Sequence, residues 1–79
     1  MRDVRAELEA LLREFFGQPD LVLRREMVAR DVPGWDSLAH LDLVATLEER
    51  FGVRFRLAEI PTLRNAGDLV DLLHRKLGS

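Results

Sequence analysis

The sequence predicts an all-α domain: a small four-helix bundle made of three main helices and one short helix, with a long first loop. Three observations predict it. Apolar residues recur at three- and four-residue steps in three separate segments. Those segments are bounded by capping side chains or by glycine and proline. The one alternating stretch, Val53 to Leu57, is short and has no second strand-like run to pair with.

The first helix follows from Val4, Leu8, Leu11, Leu12 and Phe15, which share one helical face. Asp3 caps its start, and Gly17 followed by Pro19 ends it. Glu9 and Arg13 form a favourably oriented i,i+4 pair on the solvent side. A connection from about Gln18 to Trp35 comes next. Its apolar residues, Leu21, Val22, Leu23, Met27, Val28 and Val32, alternate with charges without a sustained period. A segment this long in so small a domain packs as a structured crossover or has a function, so an ordered loop with a helical turn is expected.

The second helix runs from Ser37 to about Arg50. At 100° per residue, Leu38, Leu41, Val44, Ala45, Leu47 and Phe51 fall on a wide apolar arc with Leu43 at its margin. Gly52 closes it as a left-handed cap. Val53 to Leu57 is expected to be a loop with its apolar residues turned inward, and Leu57 to Ile60 a short helical turn halted by Pro61. The last helix spans about Asn65 to Leu77, capped by Asn65, with Ala66, Leu69, Val70, Leu73 and Leu77 facing the core. His74, Arg75 and Lys76 place positive charge at its C-terminal end, where the helix dipole favours it.

Composition excludes several classes of function. The chain has 79 residues, 47% hydrophobic and 33% charged, a globular balance far from that of disordered chains. It contains no cysteine, so neither disulfides nor a thiolate zinc site supplement the core, and any thioester chemistry needs a sulfur from a prosthetic group. Net charge is −2 and the sequence pI about 5.6, which argues against nucleic acid as a partner. The charged N-terminal stretch does not read as a signal peptide, and no run approaches the roughly 20 apolar residues of a membrane span. A cytoplasmic monomer is expected.

The chemistry concentrates in Gly34-Trp35-Asp36-Ser37-Leu38, which leads directly into the second helix. On its own, Asp36-Ser37 reads as a helix cap. A serine in the first helical turn after a loop is also held outward, beside unpaired N–H groups and the positive end of the helix dipole, a natural place for an anion. Gly34 to Leu38, with Leu41, Val44, Leu47, Glu48, Glu49, Phe51 and Gly52, resembles the Asp-Ser-Leu attachment segment and leucine-rich helix of acyl carrier proteins. The resemblance extends more weakly to Ile60 and to Gly67-Asp68-Leu69-Val70, and so covers most of the chain.

That resemblance implies a single acyl-carrier domain over residues 1–79. It implies a covalent 4′-phosphopantetheine, taken from coenzyme A, on Ser37, with Asp36 as the supporting cap. It also implies that the protein is no enzyme but delivers thioesters. Its partners are then a phosphopantetheinyl transferase, an acyl-loading ligase or acyltransferase, and synthases or other biosynthetic enzymes. The partner surface expected from the family comprises Trp35, Leu38, Asp42, Ala45, Glu48 and Glu49. Ala39 stands where fatty-acid carriers often have an acidic residue, and Arg50 breaks the acidic run. Gly-Trp before Asp-Ser-Leu looks more like discrete carriers of specialised pathways, such as polyketide, mixed peptide–polyketide or surface-sugar assembly.

Other readings stay open from the residues alone. An aminoacyl or peptidyl carrier would use the same Ser37, and an unmodified helical module would use the second helix to dock a partner peptide. A hydrolase built on Ser37, His40 and Asp42 lacks a nucleophile elbow and oxyanion loop, and His40 reads as a bundle-surface or interhelix residue. His40, His74 and nearby carboxylates have no recognisable metal spacing. Trp35 reads as a loop anchor, and equally as an aromatic beside the arm or a partner.

Overall fold

The computed structural model describes residues 3–78. Helix α1 spans Val4–Phe16, α2 Ser37–Phe51 and α3 Ala66–Lys76. Short 3₁₀ helices at Ala29–Asp31 and Leu57–Thr62 lie in the two connections. No strand occurs among the described residues. The fold is therefore all-α, with three main helices, a short fourth at Leu57–Thr62, and a long first loop that carries one further helical turn.

Local chemistry sets the boundaries of the helices. Asp3 Oδ1 accepts from the Ala6 amide at 3.0 Å and Asn65 Oδ1 from the Asp68 amide at 2.8 Å. Each satisfies a first-turn donor that the helix leaves open. Gly52 ends α2 at φ +68°, a left-handed conformation that a side chain disfavours. The core joins Leu8, Leu11 and Leu12 of α1, Leu43 and Leu47 of α2, and Leu69 and Leu73 of α3, all at most 2% exposed.

The orientation of α2 departs from the helical-wheel expectation. Leu43, expected at the margin, is completely buried, whereas Leu38 and Leu41 are 77% and 55% exposed and Ala45 is exposed. The helix is turned toward Leu43 because α1 and α3 cover only one flank of an arc wider than either neighbour. Leu57, expected to point inward, is 86% exposed; Val53 is buried and Phe55 half-buried as expected. Pro61 does not stop the second 3₁₀ helix but lies inside it. Its missing N–H removes one short-range link in a tight turn, and the Leu63 amide still reaches the Ile60 carbonyl at 3.2 Å.

The long loop is fastened at both sides. The Glu9–Arg13 pair forms at 3.5 Å, but it works under the loop rather than in open solvent. Glu9 Oε2 accepts from the Leu23 amide at 2.8 Å and Arg13 Nε donates to the Leu21 carbonyl at 2.6 Å. On the other side the Ala66 and Gly67 amides, at the start of α3, donate to the Met27 and Arg25 carbonyls, each at 2.9 Å. Arg25 also forms a two-pronged ion pair with Asp71, at 3.1 and 2.7 Å. Leu23 and Val32 are buried, so the loop contributes to the core while Val22 stays exposed.

Gly67 is where this docking leaves no room. A Cβ there would lie 3.1 Å from both the Cβ and the carbonyl oxygen of Arg25. Gly67→Val should therefore destabilise the domain by about 1–3 kcal/mol through overpacking. Urea unfolding measures the loss, and faster hydrogen exchange at the Ala66 and Gly67 amides reports the loop lifting away. A variant as stable as the parent, with unchanged exchange, would mean that the loop yields freely.

Candidate functional site

Asp36 is the N-cap of α2, with extended backbone at φ −115°, and its Oδ1 accepts from the Ala39 amide at 2.8 Å. The Asp36 carbonyl accepts the first helical bond, from the His40 amide, also at 2.8 Å. Capping is thus done by the aspartate, and Ser37 occupies the first helical position with an exposed side chain. The amides of Ser37 and Leu38 precede the first intrahelical bond and face the same end of the helix. An anion bonded to the serine oxygen would meet these donors and the positive end of the dipole. The residues present fit an attached phosphodiester.

Behind the serine stands an aromatic stack. The indole of Trp35 lies on the Phe16 ring, centroids 5.3 Å apart and planes 28° from parallel, with the His40 imidazole beside it at 6.1 Å and 19° from parallel. Trp35 Nε1 donates to His40 Nδ1 at 3.1 Å. Trp35 is half-buried, so it anchors the loop end, as one of its two expected roles requires. It also lines an open groove of about 680 Å³ together with Ser37, Leu41, Ile60, Pro61 and Leu63.

A family profile for the phosphopantetheine attachment site matches residues 6–73. The chain belongs to the acyl carrier protein family. It is 33% identical over 66 residues to an acyl carrier protein of Acidothermus cellulolyticus, covering 84% of this chain and 79% of that one. With an acyl carrier protein of Thermotoga maritima it shares 29% identity over 76 residues, 96% of this chain and 94% of the relative. The solution NMR structure of a holo acyl carrier protein from Geobacter metallireducens superposes with a TM-score of 0.88 at 39% identity, covering 94% of this chain and 85% of that one. The protein is accordingly a carrier of acyl groups on a covalent 4′-phosphopantetheine and not a catalyst, and a phosphopantetheinyl transferase and biosynthetic enzymes are its general partners.

The residues expected at the carrier's partner surface fall into two groups. Leu38, Asp42, Ala45 and Glu49, spaced by four, three and four, form one exposed stripe along α2. Glu48 and Trp35 are more deeply engaged. Glu48 is half-buried and its Oε2 accepts from the Phe55 amide at 2.7 Å, pinning the chain after α2. Trp35 is held between Phe16 and His40. Sequence reasoning placed none of Arg30, Ile60, Pro61 and Leu63 beside Ser37, yet all four line the groove there. They come from two different connections, and no spacing rule brings them to one place.

His40 belongs to no triad. Its Nδ1 accepts a hydrogen bond from the indole N–H, where a triad histidine would donate to a carboxylate, and Asp42 lies on the exposed stripe. No group of three or more potential metal ligands occurs among the described residues. No helix of the structure is long and apolar enough to cross a membrane.

Burial pushes the His40 imidazole below its ordinary value of about 6.5. A protonated Nδ1 would also set a donor against the Trp35 donor. Because the unfolded chain takes up this proton more readily than the folded one, the contribution is full above about pH 6.5 and is lost as pH falls through the folded value. The urea midpoint should therefore fall between pH 7.5 and 5, and His40→Asn, which keeps an acceptor for the indole, should flatten that part of the profile. Identical slopes for the two proteins would remove His40 as the cause.

Proposed function

We propose that Ser37 is the attachment residue and that this single domain, in the cytoplasm, passes acyl thioesters between enzymes of a specialised pathway of polyketide, mixed peptide–polyketide or fatty-acid-like assembly. The observation that carries the reading is the exposed serine at the first position of α2, with capping already supplied by Asp36. The attached group supplies a terminal thiol, which this cysteine-free chain lacks. The chain's own contribution is a mount. Asp36 fixes the helix start, the Ser37 and Leu38 amides and the dipole favour the phosphodiester, and the Phe16–Trp35–His40 stack holds the preceding loop.

The stripe of Leu38, Asp42, Ala45 and Glu49 is the surface on which a transferase, an acyl-loading ligase or acyltransferase, and a synthase dock in turn. Its two carboxylates speed encounter and select basic partners while adding little affinity, which suits a shuttle that must leave each enzyme. Support for a specialised pathway over housekeeping fatty-acid synthesis lies in Gly34-Trp35, in Ala39 and in Arg50.

Incubation with coenzyme A and a broad phosphopantetheinyl transferase, followed by peptide mass mapping, tests the attachment. One phosphopantetheinyl addition on the peptide containing Ser37 is expected. Addition at another residue refutes the assignment, and no addition with several transferases favours an unmodified docking module. Loading of the modified protein by acyl-activating against amino-acid-adenylating ligases then separates an acyl from an aminoacyl carrier.

A further inference from the structure

Ser37 borders a groove on the outside of the bundle, and the way inward from that groove is closed. The groove, of about 680 Å³, shares Trp35, His40 and Leu63 with a second, much more enclosed pocket that reaches Leu69 of α3. That inner pocket measures about 30 Å³. A space of that size holds a water molecule or a small group and no acyl chain. Beyond it Leu43, Leu47, Leu69 and Leu73 are packed against one another at 2% exposure or less.

Trp35 and His40 stand where groove and pocket meet. They are joined by the 3.1 Å hydrogen bond and backed by the Phe16 ring. Letting a chain pass would break that bond, leave the indole N–H without its acceptor and separate stacked rings. Outside, the groove offers Leu41, Ile60, Pro61 and Leu63 as apolar lining. Arg30 adds a cation to that lining, complementary to the arm's anionic phosphodiester. Asp36, the carboxylate in the same lining, is turned to the Ala39 amide.

We propose that the Trp35–His40 pair seals the interior of this carrier, so that the acyl group rests in the external groove against Trp35, Leu41, Ile60 and Leu63. The inference rests on Ser37 as the attachment residue. The tether then supplies the occupant: whatever the arm carries hangs from a residue of the groove's own rim, at high effective concentration there. The cargo suited to such a seat is a short acyl group, whose apolar part a shallow surface covers, rather than a long chain that needs enclosure.

The test uses the protein loaded by a broad transferase with coenzyme A, butyryl-coenzyme A or octanoyl-coenzyme A, each product checked by intact mass and compared by methyl and indole NMR. Relative to the unacylated arm, both acyl groups should shift Leu41, Ile60, Leu63 and the Trp35 indole N–H, and leave Leu43, Leu47, Leu69 and Leu73 unmoved. Core shifts that grow from butyryl to octanoyl would overturn the inference, and so would the absence of groove shifts with either. In His40→Ala the octanoyl group should reach the core leucines. Trp35→Phe, which keeps the ring stack but removes the donor, should produce the same core shifts to a smaller extent. Variants whose core stays as silent as the parent's would show that the pair is not the barrier. A chain that gains no mass at all fails at Ser37 instead, a result distinct from a loaded chain with the wrong shifts.

Discussion

Ser37→Ala should abolish phosphopantetheinylation while changing the unfolding free energy by less than about 1 kcal/mol. The two halves of this expectation have separate physical grounds. Loss of modification should be complete because the proposed acceptor oxygen is gone and the chain offers no cysteine to take its place. Stability holds because the hydroxyl is not the cap: Asp36 Oδ1 already accepts from the Ala39 amide, and the serine side chain is exposed at the first helical position. Alanine is the better helix former, by a few tenths of a kcal/mol, so the variant should be as stable as the parent or slightly more so. Intact mass after transferase treatment reads the first half and urea unfolding the second. A variant that still gains the arm would move the attachment elsewhere. One that unfolds would mean that the serine oxygen serves the fold.

Sequence alone disclosed the parts of this site that depend on neighbours a few residues away. Asp3, Asp36 and Asn65 each cap an amide three positions on, so the residue type and the following apolar run are enough to place a helix start. The position of Ser37 follows directly from Asp36. What depends on distant partners was hidden. The faces that α2 buries are decided by where α1 and α3 lie, and a wheel cannot rank Leu43 above Leu38 when both belong to one broad arc. The grip of Glu9 and Arg13 on Leu23 and Leu21, and of Arg25 on Asp71, joins residues 8 to 46 positions apart. The groove has the same origin: Trp35 and His40 meet across a helix start, and Ile60 and Leu63 arrive from a different connection. Glu48 illustrates the cost of reading charge as surface. A carboxylate on a partner-facing helix looks available, yet this one holds the Phe55 amide.

The orientation of α2 makes the sharpest stability contrast in the molecule. Leu47→Ala should cost about 2–5 kcal/mol, because Leu47 is fully buried among leucines of all three helices and its removal leaves a cavity the bundle only partly fills. Total stability is only about 5–15 kcal/mol even for ordinary domains, and a chain this short should lie toward the low end. At about 4–8 °C per kcal/mol the melting temperature should drop by roughly ten degrees or more, with the variant partly unfolded at physiological temperature. Leu38→Ala, nine residues earlier on the same helix and just as apolar by composition, should change stability by no more than about 0.5 kcal/mol, since 77% of that residue already faces solvent. Thermal unfolding by circular dichroism separates the pair. The function-bearing consequence is the reverse: Leu38→Ala should weaken docking of a transferase to the exposed stripe, read as a raised KM for the carrier with folding intact. Equal losses of stability from the two substitutions would mean that α2 is turned the other way, with Leu38 in the core and the stripe beside Ser37 withdrawn from any partner.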